Sequence, residues 1–304
     1  MGAAVSVVLP THRRPQDLAR ALRSALDQTL PAYEVIVVVD GSHPPTMAVL
    51  KEFSDPRIVV IEHPVALGAG AARNAGIRQA RGDFIAFLDD DDWWYPRKLE
   101  TQVRAHLSSP APELTVSGTA GHVDHEGNVV VWPLRAPRTA ERIADYLFVR
   151  RRAGEGALYT PSLMVPASLA QAVPMPTHLA THEEWDWLLS LQDRGVRAVV
   201  EMTPLGRFDT SPRQGGSISS QASWSQSLAW ADSRRETLGP RAYAAFVLTE
   251  VGRGAAQAGA GPAIMLRLLR HSLRGRPRPW DVGRHLMRPL VRLLRARRSE
   301  RPGR

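Results

Sequence analysis

Short, mostly apolar runs alternate with segments of helical periodicity over the first hundred residues. Val5–Leu9, Val35–Val39, Ile58–Ile61 and Phe84–Leu88 are rich in β-branched and large apolar residues, which predicts four strands, the first of them buried on both faces. Segments with apolar residues at helical spacing follow them, at 18–26, 47–53, 71–80 and 96–107. Strands that alternate with helices predict an α/β fold with a mostly parallel, Rossmann-type sheet flanked by helices.

The pattern is less regular from residue 109 onwards. Thr115–Ser117 and Val129–Trp132 are predicted as strands around a Gly127-Asn128 turn, and Thr181–Arg194 is predicted as a helix. Residues 207–220 are polar and rich in Gly, Ser and Pro, and helical stretches then lead to the C-terminus. We therefore divide the chain into three parts, which are 1–108, 109–220 and 221–304.

Charge and composition set the C-terminal part apart. The net charge is +9, but residues 265–304 contain thirteen arginines and only two acids, so the rest of the chain is close to neutral. The absence of cysteine excludes disulfides, thiolate metal sites and cysteine nucleophiles. No apolar run approaches the roughly 18 residues that a membrane-spanning helix needs, and no signal peptide is evident, so we expect a cytoplasmic protein.

The basic tail at 280–304 has an amphipathic pattern. Arginines and leucines recur at helical spacing on different faces: Arg284, Arg288, Arg292 and Arg295 on one, and Leu286, Leu290 and Leu293 on another. This pattern suits peripheral contact with the inner face of an anionic membrane. A solvated helix packed on the protein, or a frayed terminus, explains it equally well. Nucleic acid is not expected as a partner, because Trp280 is the tail's single aromatic residue and no reading motif is present.

The strongest candidate for chemistry is the acidic run Asp89–Asp92, which follows the fourth strand. In open parallel α/β sheets ligands bind beyond the carboxyl ends of the strands, where Thr11 and Asp40 also fall. Adjacent carboxylates repel one another, and Mg²⁺ or Mn²⁺ is a natural counter-charge because both prefer oxygen ligands. A solvated acidic turn is the alternative. Trp93 and Trp94 come next, either as walls of a sugar or acceptor pocket or as a lid packed on the core.

Four segments, in this order and spacing, resemble the family-2 glycosyltransferases of the GT-A fold. They are VVLPTHRRP from Val7, EVIVVVDGS from Glu34, GAARNAG from Gly70 and GDFIAFLDDDD from Gly82. The match covers residues 5–100, resumes at Thr181–Leu189 and is less clear at Gly215–Ser219. The resemblance implies a GT-A-like sheet with a helical, basic C-terminal appendage. It also implies that 1–108 binds a nucleotide sugar and that 109–220 binds the acceptor and carries the catalytic base.

The resemblance implies roles for individual residues. Asp40 would hold the base of the donor nucleotide, Asp90 would lie nearer its ribose, and Asp91 would bind the metal. The nucleotide-sugar site as a whole would comprise Pro10, Thr11, Arg13, Asp40, Arg73, Asp89 and Asp90. The sequence departs from the family pattern at two positions, because Val39 replaces the first of two aspartates before Gly41 and Arg13 stands where asparagine is common.

The catalytic base is expected in the segment that begins at Thr181. Inverting transfer needs a carboxylate that accepts the proton of the attacking hydroxyl. The family motif is commonly Glu-Asp, and here Glu184 occupies its second position, after Glu183. Glu183 and Asp186 are the alternatives. Glu184 also has a structural explanation, since Thr181-x-x-Glu184 forms a capping box at a helix start.

These observations together predict an inverting, metal-assisted glycosyltransferase. It would move a sugar from a UDP- or dTDP-sugar to an acceptor hydroxyl on a lipid-linked glycan, a polysaccharide or a small natural product, with Mg²⁺ or Mn²⁺ as cofactor. Two rival functions stay open: a non-catalytic nucleotide-sugar or nucleic-acid binding protein, and a sugar nucleotidylyltransferase. The latter has less support, because no Gly-rich loop containing Arg and Lys follows the first strand.

Overall fold

The computed structural model describes residues 3–108, 113–123, 129–152, 154–179, 181–208 and 223–288. The chain divides into two compact units. Unit 1 comprises Met1–Glu141, Gly154–Leu179 and Glu183–Gln214, and unit 2 comprises Arg142–Ala153, Ala180–His182 and Gly215–Arg304. The predicted Gly127-Asn128 turn, the Gly215–Ser219 segment and the tail from residue 289 lie outside the described residues. The functional division into three parts stays a prediction.

Unit 1 is built on a mixed sheet that has nine strands in its described part. The strands are β1 Val5–Thr11, β2 Glu34–Asp40, β3 Ile58–His63, β4 Phe84–Phe87, β5 Trp93–Trp94, β6 Glu113–Val123, β7 Val129–Trp132, β8 Leu163–Pro166 and β9 Arg197–Arg207. They lie in the order β3-β2-β1-β4-β8-β6-β9-β5, and β7 pairs with β6 off this path. The first four strands are parallel, and β8 pairs antiparallel with β4.

The parallel half of the sheet forms where the sequence predicts buried strands. All residues of β1 and β2 are buried, as expected of strands with apolar side chains on both faces. The four helices predicted in this half are also present: α1 Pro15–Leu26, α2 Pro44–Lys51, α3 Ala69–Gln79 and α4 Lys98–Leu107. Leu18 and Leu22 of α1 pack into the same apolar cluster as the side chains of β1 and β2. The predicted α/β fold with a parallel sheet flanked by helices is therefore confirmed for this half.

Helix α3 lies unusually close to the sheet because its sequence is rich in small residues. Gly76 shows this most clearly, since a methyl group there would lie 2.5 Å from Cγ1 of Val8 on β1. A contact that short cannot be accommodated without displacing the helix or the strand. The glycine thus fixes the distance between α3, which carries Arg73, and the strand that ends at Thr11.

The second half of the sheet is less visible in the sequence. The predicted strands are present, since β6 includes Thr115–Ser117 and β7 is Val129–Trp132, and α7 Glu183–Asp193 lies inside the predicted helix. Strands β5, β8 and β9 and the helix α6 Ala167–Ala172 were not predicted. Strand β9 is interrupted by irregular pairing beside Pro204, which explains its weak alternation.

Unit 2 is helical in its described part, which confirms the predicted helical appendage. Its helices are α5 Ile143–Phe148, α8 Trp224–Ser233, α9 Arg235–Phe246, α10 Gly252–Gln257 and α11 Pro262–Leu273, with a π-helical turn at Val247–Val251 and helical backbone at 279–288. Aromatic contacts form its core: Phe246 lies 5.1 Å from Phe148 and 5.1 Å from Trp230, between ring centroids. In the part of the chain that the structure describes, no helix is both long and apolar enough to cross a membrane.

Candidate active site

The polar residues after β1, β2 and β4 lie close together, because these strands are adjacent and parallel. Thr11 ends β1, and its Oγ1 donates a hydrogen bond to Oδ2 of Asp90 at 2.8 Å. Strand β2 ends at Asp40, whose carbonyl oxygen lies 2.6 Å from Nδ1 of His12. The structure therefore brings the predicted residues together at the carboxyl edge of the sheet, where ligands bind in such folds.

The Asp40 carboxylate is buried and engaged by protein donors. It accepts hydrogen bonds from the amides of Leu67 and Gly68, both at 2.8 Å, and lies 2.9 Å from Nδ1 of His63. Burial raises the pKa of Asp40, but these three partners outweigh it and hold the pKa below its usual value. A carboxylate offers about four acceptor positions, so this set leaves room for about one more donor, such as a nucleotide base.

The four aspartates of the acidic run differ in their surroundings. Asp90 and Asp92 are buried, whereas the side chains of Asp89 and Asp91 are 24% and 22% exposed. Nη1 of Arg14 bridges two of them, at 3.0 Å from Oδ1 of Asp90 and 2.7 Å from Oδ2 of Asp91. Burial raises the pKa of Asp90 to about 6, against the lowering effect of Arg14. A protein cation therefore supplies part of the counter-charge that this run needs.

Arg73 joins the acidic run to the candidate catalytic base. Its side chain is buried, and Nη2 lies 2.6 Å from Oδ1 of Asp89 while Nη1 lies 3.6 Å from Oε1 of Glu183. Burial disfavours the charged guanidinium, but Asp89, Glu184 and Glu183 outweigh this effect and raise the pKa of Arg73 above its usual value. The arginine therefore stays charged and holds carboxylates from both ends of the site within a few ångströms.

Glu184 lies in the first turn of α7, which begins at Glu183 rather than at Thr181. Its side chain accepts a hydrogen bond from Thr160, a residue that precedes β8. Burial raises the pKa of Glu184, while Arg73 and Thr160 oppose this rise. Burial also raises the pKa of Glu183. Asp186 is buried, with 8% exposure. A carboxylate with a raised pKa suits a base that must accept a proton during transfer.

The two tryptophans after the acidic run have different environments. Trp93 is partly exposed, and its ring lies 4.3 Å from the guanidinium carbon of Arg20 and 5.4 Å from that of Arg207. Trp94 is 4% exposed, belongs to the apolar core of unit 1, and donates from Nε1 to the carbonyl oxygen of Pro161 at 2.8 Å. Trp93 is therefore the better placed of the two to touch a ligand.

Two further predicted residues flank the site. Pro10 is buried within β1, and Arg13 is exposed in the loop after it, with a left-handed backbone at φ 57°. The contacts of the neighbouring Arg14 with the acidic run were not predicted, although the same motif contains it. Thr160 was also missed, because nothing in its local sequence indicates that it contacts a carboxylate so far along the chain.

The donor set fits a divalent cation only in part. Asp91 offers the hard, partly exposed carboxylate oxygens that Mg²⁺ and Mn²⁺ prefer. The described residues contain no group of three or more acidic or histidine side chains arranged to hold a metal ion. A cation that uses one or two carboxylates plus substrate phosphates needs no such group. The residues therefore fit a metal that arrives with a diphosphate.

Comparison with known proteins points to one family. The family model described as Glycosyl transferase family 2 matches residues 6–155. The chain is 30% identical over 198 residues to UDP-Glc:alpha-D-GlcNAc-diphosphoundecaprenol beta-1,3-glucosyltransferase WfgD of Escherichia coli. The aligned region covers 64% of this chain and 72% of WfgD. It is 24% identical over 240 residues to the amylovoran biosynthesis glycosyltransferase AmsB of Erwinia amylovora, covering 77% of this chain and 78% of AmsB.

Solved structures of similar shape agree with this assignment at the level of the fold. S. aureus TarS 1-349 in complex with UDP-GlcNAc matches with a TM-score of 0.62 at 16% identity, over 96% of this chain and 92% of that one. The mannosyltransferase PcManGT from Pyrobaculum calidifontis, solved with GDP-Man and Mn²⁺, matches with a TM-score of 0.57 at 16% identity, over 96% and 87% of the two chains. The sheet described above is thus of the GT-A type.

Proposed function

The chain belongs to glycosyl transferase family 2 and is a glycosyltransferase, and we propose that it transfers a sugar from a UDP- or dTDP-sugar to an acceptor hydroxyl with inversion. The observation that carries this proposal is the arrangement around Arg73. One buried guanidinium contacts Asp89 of the acidic run and lies beside Glu183 and Glu184. A transferase needs the donor diphosphate on one side of the reacting carbon and the base on the other. Arg73 lies within reach of both Asp89, on the proposed diphosphate side, and Glu183 and Glu184, on the side of the proposed base.

In the proposed reaction the protein binds the donor, orients the acceptor and removes the proton of the acceptor hydroxyl. Asp40 and the Thr11 region hold the nucleotide, and Glu184 accepts the proton of the acceptor hydroxyl as it attacks the anomeric carbon. Arg73 stays charged throughout and balances the carboxylates around it. Asp91, with Asp89 nearby, is the proposed ligand of Mg²⁺ or Mn²⁺, which would offset the charge that develops on the leaving diphosphate.

The proposed acceptor is a lipid-linked glycan. WfgD, by its name, acts on a GlcNAc-diphosphoundecaprenol, and this chain covers 72% of it. A lipid-linked acceptor requires the enzyme to work at a membrane surface, and unit 2 has features that suit such contact. Five large apolar side chains of unit 2 are between 46% and 60% exposed: Leu266, Leu273, Trp280, Leu286 and Met287.

Four of these exposed residues lie in matching stripes on two helices, and Leu286 precedes the last of them in the chain. On α11 an arginine stands between two leucines, in the order Leu266, Arg270, Leu273, and at 279–288 Arg284 stands between Trp280 and Met287 at the same spacing. Residues seven apart on a helix share a face, so each helix presents apolar side chains with an arginine between them. We name the five apolar residues and these two arginines the unit 2 surface. Its chemistry matches an anionic lipid layer.

The decisive test of the proposed function is substitution of the base. Glu184→Gln removes the proton acceptor but keeps the size and the hydrogen-bonding ability of the side chain. We expect release of the nucleoside diphosphate, UDP or dTDP according to the donor, to fall by about 10²–10⁴-fold across a panel of UDP- and dTDP-sugars, with UDP affinity and melting temperature near wild type. UDP release needs no knowledge of the acceptor, since water replaces it.

Glu183→Gln and Asp186→Asn are the matched controls, because each removes one carboxylate from the same turn of α7. Loss of turnover in Glu183→Gln alone would move the base by one residue. Full turnover in all three variants would remove α7 from the chemistry. A wild-type protein that binds UDP and releases it from no donor, with or without Mn²⁺, would be a nucleotide-sugar binding protein instead.

A further inference from the structure

Three aromatic residues from separate segments of unit 1 lie on one face of its sheet. In the register of the sheet Trp132 on β7 stands opposite Thr119 on β6, and Thr119 stands opposite Gly206 on β9. Phe208 follows two positions after Gly206, so it falls on the same side as Trp132. The third aromatic residue, Tyr159, comes from the segment before β8.

The Tyr159 ring packs against each of the other two rings. The Tyr159 ring lies 4.6 Å from that of Phe208 at an interplanar angle of 77°, and 6.0 Å from that of Trp132 at 53°. These are the edge-to-face and tilted arrangements that aromatic pairs prefer. All three residues are partly exposed. We name them the aromatic platform.

The chain around Trp132 is shaped to hold its ring in place. Gly154 has a left-handed backbone at φ 76°, and a methyl group there would lie 2.3 Å from Cδ1 and Nε1 of Trp132. Its carbonyl oxygen accepts a hydrogen bond from the amide of Leu134 at 2.8 Å. Only glycine lets the backbone pass so close to the edge of the indole. The position of the ring is therefore built into the fold and is not that of a loose surface side chain.

The platform is joined directly to the candidate base. Tyr159 precedes Thr160, whose side chain donates a hydrogen bond to Glu184. Trp94 anchors the turn Thr160–Ser162, because its Nε1 donates a hydrogen bond to the carbonyl oxygen of Pro161 at 2.8 Å. Tyr159 is consequently the chain neighbour of the residue that contacts the candidate base, on a segment separate from the end of β2, where Asp40 lies.

We propose that the aromatic platform, Trp132, Tyr159 and Phe208, binds a pyranose ring of the acceptor and orients its hydroxyl towards Glu184. Each face of a pyranose carries axial C–H groups, which pack well on aromatic faces, while its edge hydroxyls stay available for polar contacts. The base accepts a proton from the acceptor and not from the donor, so we assign a sugar ring bound next to Thr160, the hydrogen-bond partner of the base, to the acceptor. This inference rests on the proposed function and specifies the acceptor as a saccharide.

The test separates acceptor binding from donor binding. Tyr159→Leu and Phe208→Leu keep the apolar volume but remove the ring, whereas Tyr159→Phe keeps the ring. Tyr33→Leu is the control, since Tyr33 is a 53% exposed aromatic residue of unit 1 outside the platform. Binding of methyl glycosides of glucose, galactose, mannose, GlcNAc and GalNAc, and of a short prenyl diphosphate, is measured by saturation-transfer NMR in the presence of UDP and Mg²⁺. UDP affinity and melting temperature are measured for each variant by calorimetry.

We expect at least one glycoside to bind the wild type, and its dissociation constant to rise by about tenfold in both leucine variants. Tyr159→Phe and Tyr33→Leu should bind it as the wild type does, and UDP affinity should be unchanged in all four variants. If one leucine variant melts early, the other leucine variant decides the outcome, with Tyr159→Phe as its folded control.

Three results would overturn the inference. The first is the absence of glycoside binding to the wild type, and the second is unchanged glycoside binding in both folded leucine variants. The third is a leucine variant that binds the glycoside normally but has lost the binding of a short prenyl diphosphate. The last would assign the platform to the lipid part of an acceptor. The proposed function is tested separately by nucleotide binding. A wild type that binds neither UDP nor dTDP would contradict it, regardless of the result for glycoside binding.

Discussion

Arg14 places a positive charge where the acidic run is most crowded. Its guanidinium contacts both Asp90 and Asp91, yet its side chain is 43% exposed. An exposed ion pair of this kind contributes little to stability, and its partners can be exchanged at low cost. Arg14 therefore offsets part of the charge of the run, and exchanging it at Asp91 for a divalent cation that arrives with a diphosphate costs little.

The first prediction at the scale of residues concerns that cation. Asp91→Ala should weaken the binding of UDP in Mn²⁺ by about tenfold or more, because the metal loses its protein ligand and the diphosphate loses its bridge. In EDTA the variant and the wild type should bind UDP equally. Isothermal titration in both buffers measures this, with Asp17→Ala as the control for removing a nearby carboxylate. Equal UDP affinity of the wild type in Mn²⁺ and EDTA would contradict a metal-assisted site.

The sequence predicts those site residues that lie in local motifs, and misses those that the fold brings in from elsewhere. Asp40 and Asp91 follow buried strands, so the order of the strands is enough to place them on one edge. Thr160 reaches the site through the antiparallel strand β8, whose pairing with β4 no local pattern indicates. Propensity and periodicity report short-range order, and long-range pairing decides the rest.

At the scale of elements the same division holds. The parallel strands are recognisable because both faces are buried and their side chains are continuously apolar, as in β2. Strand β9 carries polar, charged and proline residues and shifts register beside Pro204, so it lacks the alternation that identifies a half-buried strand. Strand β5 has only two residues, Trp93 and Trp94, which is too short for any period to appear.

The turn Thr160–Ser162 is a short element with a large effect on the site. It is anchored by Trp94, and by Gln102 of α4, which donates from Nε2 to the carbonyl oxygen of Ser162 at 2.9 Å. This rigid attachment holds the Thr160 hydroxyl against Glu184. Because the hydrogen bond favours the ionised carboxylate, the turn lowers the pKa of a base that burial would otherwise raise further.

Removal of this hydrogen bond should therefore move the pH dependence of the reaction. Glu184 works as a base only when it is ionised, so kcat/KM falls as the pH drops through its pKa. Thr160→Val keeps the shape of the side chain but removes the hydroxyl, so the pKa of Glu184 should rise and the acid limb should move to higher pH. Thr160→Ser should restore the wild-type profile. An acid limb at the same pH in Thr160→Val and wild type would show that Thr160 does not influence the base.

At the scale of the whole molecule the two units differ in the groups that they contain. Unit 1 contains the sheet, the acidic run and the candidate base, and its sequence is the part that the family model matches most fully. In unit 2 polar side chains lie inside the fold: Asp281 and His285 are buried, and Nε2 of His285 lies 2.9 Å from the carbonyl oxygen of Met265. The neighbouring Leu286 is exposed. An arrangement with polar groups inside and leucine outside suits a surface that meets lipid.

This burial decides how membrane contact should be tested. Deletion from residue 280 would remove Asp281 and His285 and destabilise unit 2, so we choose exposed positions instead. The triple variant Leu266→Ser, Leu286→Ser, Met287→Ser should bind vesicles of phosphatidylglycerol and phosphatidylcholine at least about tenfold more weakly than the wild type, because apolar area no longer enters the lipid. The double variant Val65→Ser, Leu107→Ser, at exposed positions of unit 1, should bind as the wild type does.

Sedimentation with vesicles measures binding, and UDP release from the donor should be unchanged in both variants. The wild-type affinity should fall with added salt, since the arginines contribute through screened charge. Equal sedimentation of the triple variant and the wild type would assign the unit 2 surface to another role.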